Sequence, residues 1–340
     1  MNKKRLQSSS RRDFVETLAL AGAGAMLGWP MAASAAEPPP ETPRIRLVNV
    51  PAICVAPQFV AQSLLKAEGF ADVEYVEVRE GRGTFQLLAS GAADISIAFV
   101  APFIIQVAEG APIVLLAGTH TGCFELFGND RVHSVKDLKG KKVAVPGLGS
   151  SHHVFIATMA AHVGLDPRKD IEFVAMPGAE GKRALAAGTV DAYLGFPPDP
   201  QELRAKKTAR VVVSSSVDRP WSQYFCCVTA ANKTFVQKNP VAAKRALRAF
   251  LKATDICASD PQRVARLMVD RKLASDYDIA LQMMKELPFA TWRTYNPEDA
   301  VRFYALRLHE AGMIKTPPQK IIAEGTDWRF LNGLKRELKG

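Results

Sequence analysis

The sequence predicts an α/β protein of two lobes of like build with a ligand cleft between them, and three observations carry that expectation. A twelve-residue stretch occurs twice, as Leu88-Ala89-Ser90-Gly91-Ala92-Ala93-Asp94-Ile95-Ser96-Ile97-Ala98-Phe99 and as Leu185-Ala186-Ala187-Gly188-Thr189-Val190-Asp191-Ala192-Tyr193-Leu194-Gly195-Phe196. Each copy reads as a helix end, a glycine stop, an aspartate and a buried strand. Gly91 and Gly188 suit the left-handed position that ends a helix, and the apolar residues after each Asp suit a strand covered on both faces, as in a parallel sheet. Upstream of each copy the same order of strand, helix, strand and short helix recurs, giving two β-α-β-α-β units in tandem. In open α/β sheets ligands sit at the carboxyl ends of the strands, so two facing units would trap a molecule between them. One continuous sheet is the competing topology.

Residues 1–35 read as a twin-arginine signal peptide. Ser10-Arg11-Arg12-Asp13-Phe14-Val15 carries the arginine pair, a modest apolar run from Leu18 to Leu27 follows, and Ala33-Ser34-Ala35 offers small residues for cleavage. The apolar run is too short and too rich in glycine for a stable membrane span. No cysteine stands near the cleavage site to carry a lipid anchor. Residues 36–43, with Glu37-Pro38-Pro39-Pro40-Glu41-Thr42-Pro43, form an extended linker. The expected destination is the periplasm, reached through the twin-arginine export machinery.

At 340 residues, 48% hydrophobic and 23% charged, the chain is long and apolar enough for two globular domains. The formal charge is +10, but residues 1–35 hold five basic and two acidic side chains, so the mature part carries +7. Its Lys and Arg are spread over the C-terminal helices. That makes a basic surface tolerant of an anionic ligand, without the signature of a nucleic-acid binder. The five cysteines, Cys54, Cys123, Cys226, Cys227 and Cys257, are too few and too scattered for a disulfide framework. Because the twin-arginine route exports folded proteins, folding in a reducing cytoplasm leaves these thiols free and buried.

The first lobe begins at Arg44, with strand Ile45–Val50, a proline-framed loop from Pro51 to Pro57, and a helix through Ala67 whose apolar face includes Phe59, Val60 and Leu64. Val73–Val78 is a strand, and Gly81-Arg82-Gly83-Thr84 leads into a short helix with Thr84 as a candidate N-cap. After the first repeat a helix starts at Val100-Ala101-Pro102-Phe103, and Ile113–Ala117 is another buried strand. The chain is expected to cross to the second lobe over Gly118–Cys123. There, strand Val143–Val145 runs into Pro146-Gly147-Leu148-Gly149-Ser150-Ser151-His152-His153, a small-residue loop feeding a helix N-terminus. Unpaired N–H groups and the helix dipole suit an anion there, while Ser150 or Ser151 caps the helix. Neither a Walker nor a G-x-G-x-x-G spacing is present. Ile171–Val174 and Ala209–Ser214 are further strands, and residues 222–229 cross back. From Asn239-Pro240 onward the pattern is helical, ending in a basic helix over Asp327–Lys339. The division is thus lobe 1 over 44–120, lobe 2 over 121–225, and the rest of lobe 1 over 226–340.

These residues resemble the periplasmic solute-binding proteins of ABC importers of the nitrate, sulfonate and taurine kind, a group that includes thiamine-precursor binders. The marks are Ala56-Pro57-Gln58-Phe59-Val60-Ala61, the first repeat, Glu109-Gly110-Ala111-Pro112-Ile113, Asp137-Leu138-Lys139-Gly140-Lys141-Lys142-Val143-Ala144-Val145, the second repeat, and Phe235-Val236-Gln237-Lys238-Asn239-Pro240, in that order along nearly the whole mature chain. The resemblance implies a type II periplasmic binding protein: a monomer that closes two lobes on a small-molecule ligand and delivers it to a permease and ATPase complex at the inner membrane. Carried over by position, it implies ligand contacts from Ile53, Cys54, Phe99, Val100, Ala101, Thr119 and His120 in the first lobe. In the second it implies Ser150, Ser151, His152, Glu180, Phe196 and Pro197.

No enzyme, cofactor or metal is expected. His120, His152, His153, Cys54, Cys123 and Glu180 contain types that a transition metal accepts, but without a known ligand spacing, and the adjacent His152 and His153 diverge if they begin a helix. One histidine is instead expected to donate a hydrogen bond to an anionic ligand. Cys226-Cys227 is shorter than the cysteine run of the related thiamine-precursor synthases and reads as two small apolar residues in a crossing strand. Asp94 and Asp191 begin equivalent strands and are expected to bind local backbone groups, not to act as acid and base. The function expected is capture of a small anionic organic solute, a sulfonate or carboxylate. The alternative is an enzyme on the same scaffold acting on a pyrimidine or other heteroaromatic precursor.

Overall fold

The computed structural model describes residues 37–78 and 83–339. The expected signal peptide, and Gly81 and Arg82 of the loop before the first repeat, lie outside the described residues. In chain order the first unit contains β1 (Arg44–Asn49), α1 (Ala56–Ala67), β2 (Asp72–Glu77), α2 (Thr84–Ala89), β3 (Ile95–Phe99), α3 (Val100–Ala108) and β4 (Ile113–Thr121). Next come β5 (Glu125–Gly128), β6 (Lys141–Val145), α4 (Ser151–His162), β7 (Ile171–Ala175), α5 (Gly178–Ala186), β8 (Ala192–Gly195), α6 (Asp199–Lys206), β9 (Arg210–Ser214) and β10 (Phe225–Asn232). The chain ends in α7 (Lys233–Lys238), α8 (Pro240–Ser259), α9 (Pro261–Asp270), α10 (Tyr277–Glu286), α11 (Pro297–Glu310), α12 (Pro318–Gly325) and α13 (Arg329–Glu337).

These strands form two separate five-stranded sheets, ordered β2-β1-β3-β10-β4 and β7-β6-β8-β5-β9, so the single continuous sheet is excluded. β1 pairs in parallel with β2 and β3, and β6 pairs in parallel with β7 and β8. The two tandem units therefore fold with the same strand order. The sheets are not parallel throughout, however. β10 runs antiparallel between β3 and β4, and β5 runs antiparallel between β8 and β9. Each of these strands follows, along the chain, a strand of the other sheet, and so enters its own sheet from the opposite direction.

The duplicated stretch dictates local structure in both copies. Gly91 and Gly188 both have φ +70°, the left-handed conformation that lets the chain turn from helix into strand. Asp94 and Asp191 are both buried and bind backbone, as expected. The Asp94 carboxylate accepts the Arg46 backbone N–H at 2.8 Å and its guanidinium at 2.6 Å. Asp191 accepts the Lys142 N–H at 3.0 Å and pairs with Arg131 at 2.6 Å. Each aspartate thus ties the third strand of its unit to the first. A buried carboxylate requires such partners to offset its lost hydration.

Side-chain caps set several helix starts. Ser150, not Ser151, caps α4, its Oγ accepting the His153 N–H at 3.3 Å. Asp260, Asp276 and Asn296 cap α9, α10 and α11. Such a cap contributes about 1 kcal/mol. Thr84 is a correction: Gly83 holds the cap position and Thr84 is the first residue of α2. β4 also runs farther than expected, through Thr121. Gly118 permits this extension, since a Cβ there would stand 2.3 Å from the Phe225 ring on β10. α1 carries the buried Gln58, whose Nε2 donates to the Val48 carbonyl at 2.5 Å and whose Oε1 accepts the Ile97 N–H at 3.1 Å. That amide bridges β1 and β3 where their ladder has ended at Leu47 and Ile95. Among the described residues no helix is long and apolar enough to cross a membrane.

Candidate functional site

The carboxyl ends of β1, β3, β6 and β8 and the crossing strands enclose a cleft of about 380 Å³. That lies in the range of small-molecule sites. Of the residues singled out from the sequence, Cys54, Phe99, Ser150, Ser151, His152 and Phe196 line it together. The others are elsewhere. Ile53 is buried behind Cys54, and Val100 and Ala101 are buried in the first turn of α3. Thr119 faces Thr229 across the sheet, hydroxyl to hydroxyl at 3.4 Å. His120 is wholly buried against Phe289. Glu180 is exposed in the first turn of α5, and Pro197 borders a separate small cavity with Cys123 and Glu125.

The cleft also includes residues not assigned to it from the sequence: Thr84 and Phe85 at the start of α2, Pro146 after β6, and Phe124 and Cys227. Cys123, one of the side chains weighed as a metal ligand, lines it too. Cys123, Phe124 and Cys227 come from the crossing segments, which are not strand-end loops of either repeat.

Aromatic rings form much of the wall. Phe99 meets Phe124 and Phe155 edge to face, each with centroids 5.3 Å apart. His152 lies 5.0 Å from Phe196 and 5.8 Å from Phe124. His153 points the other way, onto Phe173, so the two histidines diverge as their place at a helix start requires. Burial pushes the His152 imidazole down to about 4, with Asp199 only partly opposing, so it is neutral at pH 7. Among the described residues, no Lys, Arg, Asp or Glu lines the cleft. The polar edge belongs to the Ser150 cap, Ser151 and His152. Ser150 takes the His153 and Val154 N–H groups, leaving the first-turn amides of Ser151 and His152 for another acceptor.

Cys226 and Cys227 are buried in the crossing strand β10, as expected of two small apolar residues there, and with Cys54 and Cys123 they bring thiols to the floor of the cleft. Cys54, His120 and Cys227 have their ligand-capable atoms within 4.8 Å of one another, and so do Cys123, Cys226 and Cys227. All five cysteines are free and buried, and the Sγ atoms of Cys123 and Cys226 lie 3.1 Å apart. Hydrogen bonds from Cys123, Cys226 and Cys54 pull the Cys227 thiol well below its usual range, while burial pushes Cys123 and Cys226 up.

Comparison with known proteins agrees with this architecture. The chain is 25% identical over 241 residues to 4-amino-5-hydroxymethyl-2-methylpyrimidine phosphate synthase THI13 of Saccharomyces cerevisiae, covering 66% of this chain and 69% of that protein. It is 24% identical over 216 residues to the taurine-binding periplasmic protein of Escherichia coli, covering 61% of this chain and 66% of that protein. Superposition on the periplasmic nitrate-binding protein NrtA of Synechocystis gives a TM-score of 0.72 at 16% identity, over 89% of this chain and 90% of that one. That likeness is one of fold, the periplasmic binding protein fold expected from the sequence. The family model described as NMT1/THI5 like matches residues 55–264, more than half of the chain, and the protein belongs to that family.

Proposed function

We propose that the protein is the solute-binding component of an ABC importer, acting in the periplasm after twin-arginine export and capturing a small anionic organic solute. The observation that carries this reading is the cleft between the two sheets, with an aromatic wall and a helix N-terminus at its polar edge. Phe99, Phe124 and Phe196 would cover the apolar part of the solute. The free amides of Ser151 and His152, with the Ser151 hydroxyl, would hold a sulfonate or carboxylate by hydrogen bonds and the helix dipole. Full contact requires groups from both sheets, so binding would favour the closed arrangement and a permease with its ATPase would read that shape. Support comes from relatives whose names specify taurine and nitrate binding.

A thermal-shift screen of sulfonates, nitrate, pyrimidines and aromatic acids tests the reading, because a ligand that prefers the folded state raises its melting point. Small-angle scattering should then show compaction with the ligand that scores. A tight ligand that leaves the scattering curve unchanged would overturn the closure mechanism. The synthase name of the yeast relative motivates the second reading, an enzyme acting on a heteroaromatic precursor. Mass spectrometry before and after incubation with candidate pyrimidines separates the two: a changed substrate or side chain would displace the transport reading.

A further inference from the structure

We propose that Cys54, Cys227 and His120 form a site for one thiophilic closed-shell cation, Zn(II) by charge balance, at the floor of the cleft. The site draws on three segments far apart in sequence. Cys54 belongs to the turn Ile53–Val55 after β1, His120 lies near the end of β4, and Cys227 stands directly opposite His120 in the β4–β10 ladder. The ladder shifts register on both sides of Cys227. In a regular strand adjacent side chains point to opposite faces, so Cys226 and Cys227 could not both approach Cys123. The irregularity re-aims one of them, as bulges beside functional sites do. It thereby gathers Cys123, Cys226 and Cys227 into a second triad that shares Cys227 with the first.

An independent observation singles out the histidine. His120 is wholly buried, yet its Nε2 has no hydrogen-bond partner. Nδ1–H donates to the Gly122 carbonyl at 2.8 Å, which selects the tautomer with its lone pair on Nε2. A metal-binding histidine is oriented in this way by a carbonyl behind it. Without a cation, an orphaned buried nitrogen is a standing cost to folding.

Donor chemistry decides the class of ion. Neither triad includes a carboxylate, which argues against magnesium and calcium and for a metal that prefers sulfur and imidazole. Two thiolates and a neutral imidazole around Zn(II) sum to zero charge, the arrangement least costly to bury. Tetrahedral zinc with bonds of about 2.3 Å holds its sulfurs about 3.8 Å apart. The present spacings, within 4.8 Å, therefore close by side-chain shifts of about an ångström. Cys54, Cys123 and Cys227 all line the cleft, so the ion has a path of entry.

The test takes the full chain, purified reduced and without oxygen, and titrates it with Co(II) and then Zn(II). The expected result is a thiolate-to-cobalt charge-transfer band that saturates at one ion per chain and disappears as Zn(II) displaces cobalt. Cys227→Ser should weaken binding at least ~100-fold and His120→Asn at least ~10-fold, while Cys257→Ser, outside the cluster, should leave it unchanged. Should Cys227→Ser fail to fold, Cys54→Ser carries the same expectation. No charge-transfer band in the wild type, or an intact band in both serine variants, overturns the site. The titration needs no solute and the thermal-shift screen can be run without metal, so either proposal can fail while the other stands.

Discussion

The Phe99 ring at the end of β3 meets the Phe155 ring of α4 edge to face, with centroids 5.3 Å apart and planes at 70°. β3 belongs to the first sheet, and α4 joins two strands of the second. Phe99 therefore stitches the halves together as well as lining the cleft. Tyr304 of α11 completes its surroundings, with centroids 5.4 Å apart.

Phe99 and Phe196 should separate stability from binding. Phe99 is 4% exposed and packed on three rings, so Phe99→Ala should cost about 3–5 kcal/mol. Phe196 is half-buried, and Phe196→Ala should cost under ~2 kcal/mol while weakening the solute identified by the screen about tenfold. Urea unfolding and calorimetric titration of both variants check this. Equal losses of stability would mean that the two rings do not have distinct roles.

Arg204 of α6 reaches Glu286 at the end of α10 through two bonds of 2.7 and 2.8 Å, and Glu125 of β5 at 3.0 Å. The bridge to Glu286 links the second sheet's helices to the C-terminal ones. Its side chains are about one-third exposed, which limits it to about 1 kcal/mol. Glu125 is more demanding, since burial pushes its carboxyl up and Oε2 has no partner. Arg204→Met should lower stability, and Glu286→Gln should then add almost nothing further. Full additivity in that double-mutant cycle would exclude the bridge as a contributor.

His152 gives the protein an acid-side weakness. Its folded value is about 4 and its ordinary value 6.5, so the unfolded chain takes up the proton first as pH falls. Stability from this group is complete above pH 6.5 and drains away between 6.5 and 4, by about 3 kcal/mol in total. Urea midpoints at pH 7 and pH ~4.5 should differ less for His152→Asn than for the wild type. Parallel slopes for both proteins would rule His152 out.

The paired aspartates predict paired effects. Asp94→Asn and Asp191→Asn each leave a strand-start amide and an arginine less well held, at about 1–3 kcal/mol apiece. They sit in separate units with no shared partner, so the double variant should show the sum, read by chemical denaturation. A strongly sub-additive double variant would contradict independent roles.

Much of this was legible from the chain alone. The repeated stretch, Gly91 and Gly188, the capping residues and the strand-end loops are encoded by residues within one or two turns of each other. Short-range backbone preferences act before any tertiary contact forms, so such signals survive in sequence. Six of the cleft-lining side chains were reached by that route, among them Phe99, His152 and Phe196. The tertiary structure alone decided the rest. Gln58 bridging β1 and β3, the antiparallel entry of β5 and β10, and Cys123 and Cys227 on the cleft floor all depend on segments distant along the chain. Cys54, His120 and Cys227 have no spacing that marks them as a set, because only the packing of their segments brings them together. No local rule records where such strands will meet.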